Sequence, residues 1–252
     1  MSRARTCLGL GLLMAALSIE AAADVPLTTT PDMSPVYRQC LDAAASEGRD
    51  RCLAAEYTLQ DARLNRAYKQ LIAGLDDGAR TALRGEERQW IVERDRACGE
   101  GEAKVNACSL ARTASRADTL ELRIGFEPIS FERVKGRWAY ADDCDYRHRA
   151  HVEVLQDGQT LSGRWSDGGT SFGAGGALQG RLVDGRMHVR LCDEVGGDDA
   201  YPACPAFHSE DDGVLQLQNG KLVWLQTGDA PGTFSRYLVL QREPETVVAC
   251  PQ

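Results

Sequence analysis

Proline is absent from Val36 to Arg123, although the 252-residue chain holds nine. Nothing in that stretch therefore interrupts a helix by removing a backbone donor. Long apolar runs are equally scarce. The one candidate is Cys7 to Ser18, CLGLGLLMAALS, which falls short of the roughly 20 apolar residues that a membrane-spanning helix needs. Positive charge is in deficit: 29 Lys and Arg stand against 37 Asp and Glu, a net charge of −8. Phosphate backbones repel such a surface, which excludes nucleic acid as a partner. Catalytic signatures are missing too. There is no nucleophile elbow, phosphate loop or metalloprotease helix, and no Ser or Cys is set beside a positioned His. The chain is expected to be non-enzymatic and to need no cofactor.

The short apolar run has a positive reading. Arg3 and Arg5 precede it and Ala21-x-Ala23 follows it, the layout of a secretory signal peptide. Residues 1–23 are read as that signal, with cleavage expected after Ala23. The mature protein is then periplasmic or secreted, with no membrane anchor left, because Cys7 lies before the apolar core. Cysteine usage agrees. Removing Cys7 leaves Cys40, Cys52, Cys98, Cys108, Cys144, Cys192, Cys204 and Cys250, an even set in an exported chain, which implies disulfides. Four lie before residue 125 and four after it, which suggests two domains with two bridges each.

Residues 24–35 carry Pro26, Pro31 and Pro35 and are read as a linker. A helical domain is expected over 36–125. Leu64, Tyr68, Leu71, Ile72 and Leu75 recur at helical spacing, as do Leu83, Trp90, Ile91, Ala97 and Cys98. Asp76-Asp77-Gly78 separates these runs, and residues 99–106 separate the second from a stripe of Leu110, Thr113, Ala117 and Leu120. The pattern predicts a short helix near 36–46 and longer ones near 51–75, 79–98 and 107–123, packed as an antiparallel bundle. The charged segment RQWIVERDRAC, residues 88–98, lies on the third helix. There Glu87, Trp90, Ile91, Arg94 and Cys98 share one face. Glu87 and Arg94 border the apolar stripe with opposite signs, so Arg94 is expected to anchor structure through Glu87 or a helix-end carbonyl. Paired catalytic carboxylates face each other across a cleft, and this face does not offer that. Trp90 is expected in the core, and Asn65 and Tyr68 are expected as buried polar anchors.

These residues resemble the LprI family, whose N-terminal domain is named for lysozyme inhibition. Cys40 and Cys52 match its first cysteine pair. Leu64, Asn65 and Tyr68 match L-N-x-x-Y. Trp90, Arg94, Asp95 and Cys98 match the Trp and R-D-x-x-C element, and Cys108, Thr113, Arg116 and Leu120 match Cys and T-x-x-R-x-x-x-L. The family's Gln position holds Glu87 here. The resemblance covers about residues 37–122. It implies pairing of Cys40 with Cys52 and of Cys98 with Cys108, structural roles for the other motif residues, and a cationic lysozyme-type enzyme as partner.

From Phe131 the helical period vanishes and Gly becomes frequent. Alternating runs appear at 151–156, 161–166, 177–183, 186–192, 214–218, 222–226 and 236–241, with a further candidate at 136–140. Asp157-Gly158, Asp184-Gly185 and Asn219-Gly220 between them are strong hairpin signals. Residues 131–250 are thus read as an all-antiparallel β meander, a small barrel or a sandwich, and the chain as α+β in two domains. Cys144, His148, His151, His188 and His208 imitate zinc ligands, but paired cysteines in an exported chain favour disulfides, so no metal is expected. Asp193, Glu194, Asp198, Asp199, Glu210, Asp211 and Asp212 crowd one loop without the spacing of an EF-hand and are read as solvated charge. Cys192 and Cys204 flank part of that loop, and a bridge between them would hold it fixed.

Three functions remain in play. The first is an exported envelope protein that inhibits a muramidase by steric protein–protein binding. The second is a periplasmic scaffold or ligand-binding protein whose β domain holds a small apolar or glycan ligand. A hydrolase with an unrecognised site is a third. An open barrel lumen lined by Trp and Leu would favour the second reading, and a filled lumen would remove most of its support.

Overall fold

The computed structural model describes residues 29, 31, 33–99, 105–141, 148–157, 160–169, 173–196, 200–228 and 232–243. Residues 1–23, read above as a signal peptide, and Cys144 and Cys250 lie outside these residues. Four helices come first: α1 (Pro35–Ala43), α2 (Ser46–Gly74), α3 (Asp77–Cys98) and α4 (Ala107–Arg123). Their starts follow local chemistry. Ser34 caps α1 by accepting from the Tyr37 amide at 3.0 Å, with Pro35 as the first helical residue. Asp76 caps α3 through the Ala79 amide at 2.8 Å. Asn106 and Ser109 form a reciprocal capping box at α4, which satisfies donors that a helix start leaves open. Gly99, at φ 96°, ends α3 in a conformation that favours glycine.

The helices pack around α4. Leu64 and Ala67 of α2, Leu83 of α3, and Ala117 and Leu120 of α4 form the buried cluster. Arg63 of α2 reaches Asp118 and Glu121 of α4, both at 2.7 Å. Burial opposes its charge, but the hydrogen bonds to Glu121 and Asp118 outweigh that and raise its pKa. The disulfides Cys40–Cys52 and Cys98–Cys108 staple α1 to α2 and α3 to α4. Both are the pairings that the resemblance implies.

After β1 (Phe126–Glu127) and the short α5 (Phe131–Val134) come eight strands: β2 (Gly136–Ala141), β3 (Arg149–Asp157), β4 (Thr160–Gly168), β5 (Gly173–Val183), β6 (Arg186–Leu191), β7 (Gly213–Gln218), β8 (Lys221–Thr227) and β9 (Phe234–Arg242). Each pairs antiparallel with the next, and β9 returns to β2 through Trp138↔Arg242 and Ala139↔Gln241. The meander is therefore a closed eight-stranded barrel, and the chain is α+β in two domains. Asp184-Gly185 and Asn219-Gly220 turn with positive φ at both positions, as the two-residue hairpin requires.

Alternation puts Val152, Val154, Leu178, Val189, Leu191, Leu215, Leu222 and Leu240 inside, together with Trp138, Trp165 and Trp224. Met187 also lies in this core, and its Cε would meet a Cβ at Gly180 at 2.1 Å, so Met187 fills the space that glycine leaves there. α5 closes on the same core, with the Trp138 indole donating to the Val134 carbonyl at 2.8 Å. The lumen is filled by side chains.

The two domains meet along α4. Leu122 packs on Val214, Val223, Leu225 and Phe234 on the outside of β7, β8 and β9. Gln216 donates to the Leu122 carbonyl at 2.5 Å, and Gln218 donates to the Glu121 and Ile124 carbonyls at 2.7 and 2.6 Å. Thr29 bridges to Phe234 and donates to the Ser115 carbonyl at 2.9 Å.

Candidate functional site

α3 is sparsely apolar, DGARTALRGEERQWIVERDRAC, and Leu83 is its one buried residue. It rests on the bundle through Leu83, the half-buried Trp90 and the Glu87–Arg116 ion pair, and most of its other residues are exposed. A groove of about 550 Å³ consequently opens between α2 and α3. Leu64, Tyr68 and Trp90 make its apolar floor. Tyr57, Asp61 and Asn65 stand on the α2 side, and Arg84, Arg88 and Ile91 stand on the α3 side. The repeats Tyr57–Asp61–Leu64–Tyr68 and Arg84–Arg88–Ile91 place these side chains in rows, because residues three and four apart are helix neighbours.

The polar groups divide into engaged and open ones. Asn65 donates to the carbonyl and the carboxylate of Asp61, both at 2.9 Å. Arg94 Nε donates to Asp95 at 2.9 Å, its guanidinium lies 5.1 Å from the centre of the Trp90 ring, and its Nη1 approaches the Tyr57 hydroxyl at 3.5 Å. Glu87 also lines the groove but is engaged, accepting from Arg116 Nε of α4 at 2.9 Å and from Arg116 Nη2. Glu86 accepts from Arg123 at 2.7 Å. Arg84 and Arg88 are exposed, and neither has an ionic partner among the described residues.

Three expectations change here. Arg94 does not pair with Glu87, because α4 brings Arg116 to that carboxylate and Arg94 bends to its chain neighbour Asp95. Asn65 and Tyr68 are no buried anchors: Asn65 is an exposed residue of the groove rim, satisfied within its own helix, and Tyr68 is half-buried on the groove floor. Trp90 is half-buried, since α2 leaves its flank open to the groove. The motif residues fall into three sets, of which Asp95 and Arg116 form the ion-paired one, with Arg94 and Glu87. Leu64, Asn65, Tyr68, Trp90 and Arg94 line the groove, while Thr113 and Leu120 are fully buried on α4. Sequence reading missed Tyr57, Asp61, Arg84 and Arg88 as groove residues, although their helical spacing carries the signal.

The barrel offers less open chemistry. His148 Nε2 lies 2.6 Å from Asp167, His188 Nδ1 lies 2.8 Å from Asp211, and His208 Nδ1 lies 2.8 Å from Asp212. His151 has Glu243 at 3.8 Å. The histidines are thus spread over separate carboxylates. No group of three or more metal-ligating side chains gathers among the described residues. In the acidic loop, Asp211 also accepts from Arg181 at 2.6 Å, Asp212 accepts from the Leu191 amide at 2.7 Å, and Glu194 accepts from Arg164 at 2.7 Å. Cys192 and Cys204 form a disulfide across that loop. Asp198 and Asp199 lie outside the described residues. Tyr237 donates to Asp167 at 2.5 Å, and burial together with that carboxylate raises its pKa. Asp167 is therefore held by both His148 and Tyr237.

No helix among the described residues is long and apolar enough to cross a membrane, and the disulfides require an oxidising compartment. The family model described as "Lysozyme inhibitor LprI" matches residues 40–120. That span is the stapled helical domain and holds every residue of the groove, so the resemblance read from its cysteines and motifs is borne out. No curated protein and no solved structure matches the chain.

Proposed function

We propose that the chain is an exported, non-enzymatic inhibitor of a lysozyme-type muramidase, released into the periplasm or beyond after cleavage at Ala23, and that the α2–α3 face is its docking surface. The observation that carries this reading is the coincidence of the family match with the groove: five motif residues of the matched span, Leu64, Asn65, Tyr68, Trp90 and Arg94, line it. Inhibition is steric. α3 stands as a ridge that enters the substrate cleft, and the groove beside it receives the cleft's lip. The floor of Leu64, Tyr68 and Trp90 supplies an apolar, aromatic centre, where interface energy concentrates. The acidic surface of the chain attracts a cationic enzyme and speeds encounter. Residues 24–125 hold 15 basic and 17 acidic side chains and residues 126–252 hold 12 and 19, so most of that attraction comes from the barrel.

The ligand-binding alternative finds little support, because Trp138, Trp165 and Trp224 occupy the lumen it would need. The test is clearing of a peptidoglycan suspension by a lysozyme, with and without the full chain. Slowed clearing that is lost when the disulfides are reduced is the expected result. Unchanged clearing at about 100 μM protein, a concentration that at least half-fills any complex with a binding free energy of about −5.5 kcal/mol or stronger, would contradict the proposal.

A further inference from the structure

The α3 side of the groove is cationic in a chain that is acidic overall. Arg84 and Arg88 sit one helical turn apart, exposed and without an ionic partner among the described residues. The one carboxylate among the groove's α3 residues, Glu87, is engaged by Arg116 of α4. Ile91, 42% exposed, continues the same row, and Val92, 54% exposed, flanks it. Two guanidinium groups are thus aimed outward from an exposed, partly apolar ridge.

We infer, resting on the inhibitor reading above, that Arg84 and Arg88 recognise the catalytic carboxylate pair of a retaining muramidase. The match is one of spacing and charge. Helix positions four apart hold their Cβ atoms about 5–6 Å from each other. The two carboxyl groups of a retaining glycosidase stand about 5–5.5 Å apart, against about 6.5–9.5 Å in an inverting one. Guanidinium groups bind carboxylates through two parallel hydrogen bonds, and the pairing gains strength as the cleft is closed to water. Ile91 and Val92 supply the apolar contact that excludes that water. The acidic barrel brings the enzyme in, and the arginine pair selects the cleft over the rest of its surface.

The test measures the dissociation constant of the full chain for a lysozyme and for the same enzyme with its catalytic glutamate changed to glutamine, at about 150 mM salt, where long-range steering is screened. The chain is compared with Arg84→Gln/Arg88→Gln and with Arg66→Gln/Arg96→Gln, which removes the same charge from exposed positions outside the groove. Gln and Arg have near-equal helix propensity, so the helix persists in both variants. The groove variant is expected to bind about tenfold more weakly or worse, the control variant within about threefold of the parent. The parent should also lose affinity for the altered enzyme, and the two losses should be less than additive because they report one interaction. Parent binding with an unchanged groove variant, or losses that simply add, overturns this inference alone. A parent that binds no lysozyme overturns it together with the inhibitor reading.

Discussion

Glu87 of α3 accepts from Arg116 Nε of α4 at 2.9 Å, and both side chains are largely shielded from solvent, at 14% and 10% exposure. This contact decides what the charged segment beside Trp90 is for. The carboxylate ties α3 to α4. Removing one partner strands the other. Arg116→Met is expected to cost about 2–4 kcal/mol. Glu87→Gln keeps an acceptor for Arg116 and should cost under about 1.5 kcal/mol. Urea unfolding of the two variants checks this, and equal losses would show that the pair does not hold the helices together.

Leu83 and Ile91 lie on the same helix with opposite fates. Leu83 is 1% exposed and Ile91 is 42% exposed. Leu83→Ala is expected to cost about 2–4 kcal/mol through the cavity it leaves, and Ile91→Ala under about 0.5 kcal/mol. Trp90→Ala should fall between them, because one of its flanks faces the groove. Thermal or urea denaturation ranks the three. A loss for Ile91→Ala as large as that for Leu83→Ala would mean that α3 is packed on both sides and that no groove exists.

Glu56 is 4% exposed and accepts from the Ser34 amide at 2.8 Å, the Ser34 hydroxyl at 2.6 Å and Gln60 at 2.7 Å. Burial raises its pKa, but the bonds from Ser34 and Gln60, with the charge of Arg63, outweigh it and leave a net lowering. A carboxylate with a lowered folded pKa stabilises above its unfolded value, about 4.3, and loses that contribution as pH falls through the folded value. Glu56→Gln should therefore cost about 1–2 kcal/mol at pH 7, and the gap to the parent should narrow below about pH 4. Melting curves from pH 7 to pH 3 measure it; a gap that widens toward acid would contradict the assignment.

Much of this architecture is legible in the sequence, and the residues say why. Asp184-Gly185 and Asn219-Gly220 are local rules for a tight turn, and each of them places two strands in register. Asp76 and Asn106 mark helix starts in the same local way. What crosses between elements is not legible. Gln216 and Gln218 look like solvent-facing alternates of β7, yet they are occupied by carbonyls at the end of α4. Val214, Val223 and Leu225 are buried on the barrel's outer face for the same reason. Period two tells which residues face each way but not what lies beyond the face. The partner of Arg94 escaped for a related cause: helical spacing defines a row, and the position of α4 decides which member of that row meets a cation.

Tyr237 and His148 both hold Asp167 at the barrel end near Tyr140. Tyr237→Phe removes one donor from a shielded carboxylate and should cost about 1–2 kcal/mol without changing lysozyme inhibition. Inhibition lost in a variant that is still folded would move the functional surface from the helices to the barrel.

Amide hydrogen exchange of the full chain, alone and saturated with a lysozyme, tests the α2–α3 docking surface most directly. α3 carries a single buried side chain, so its amides should open readily in the free protein, and a partner seated on it should slow them. The expected result is protection confined to residues 57–68 of α2 and 84–94 of α3, with the barrel strands β3 to β5 unchanged. Protection on those strands with none on α3, or no protection anywhere, would contradict the account.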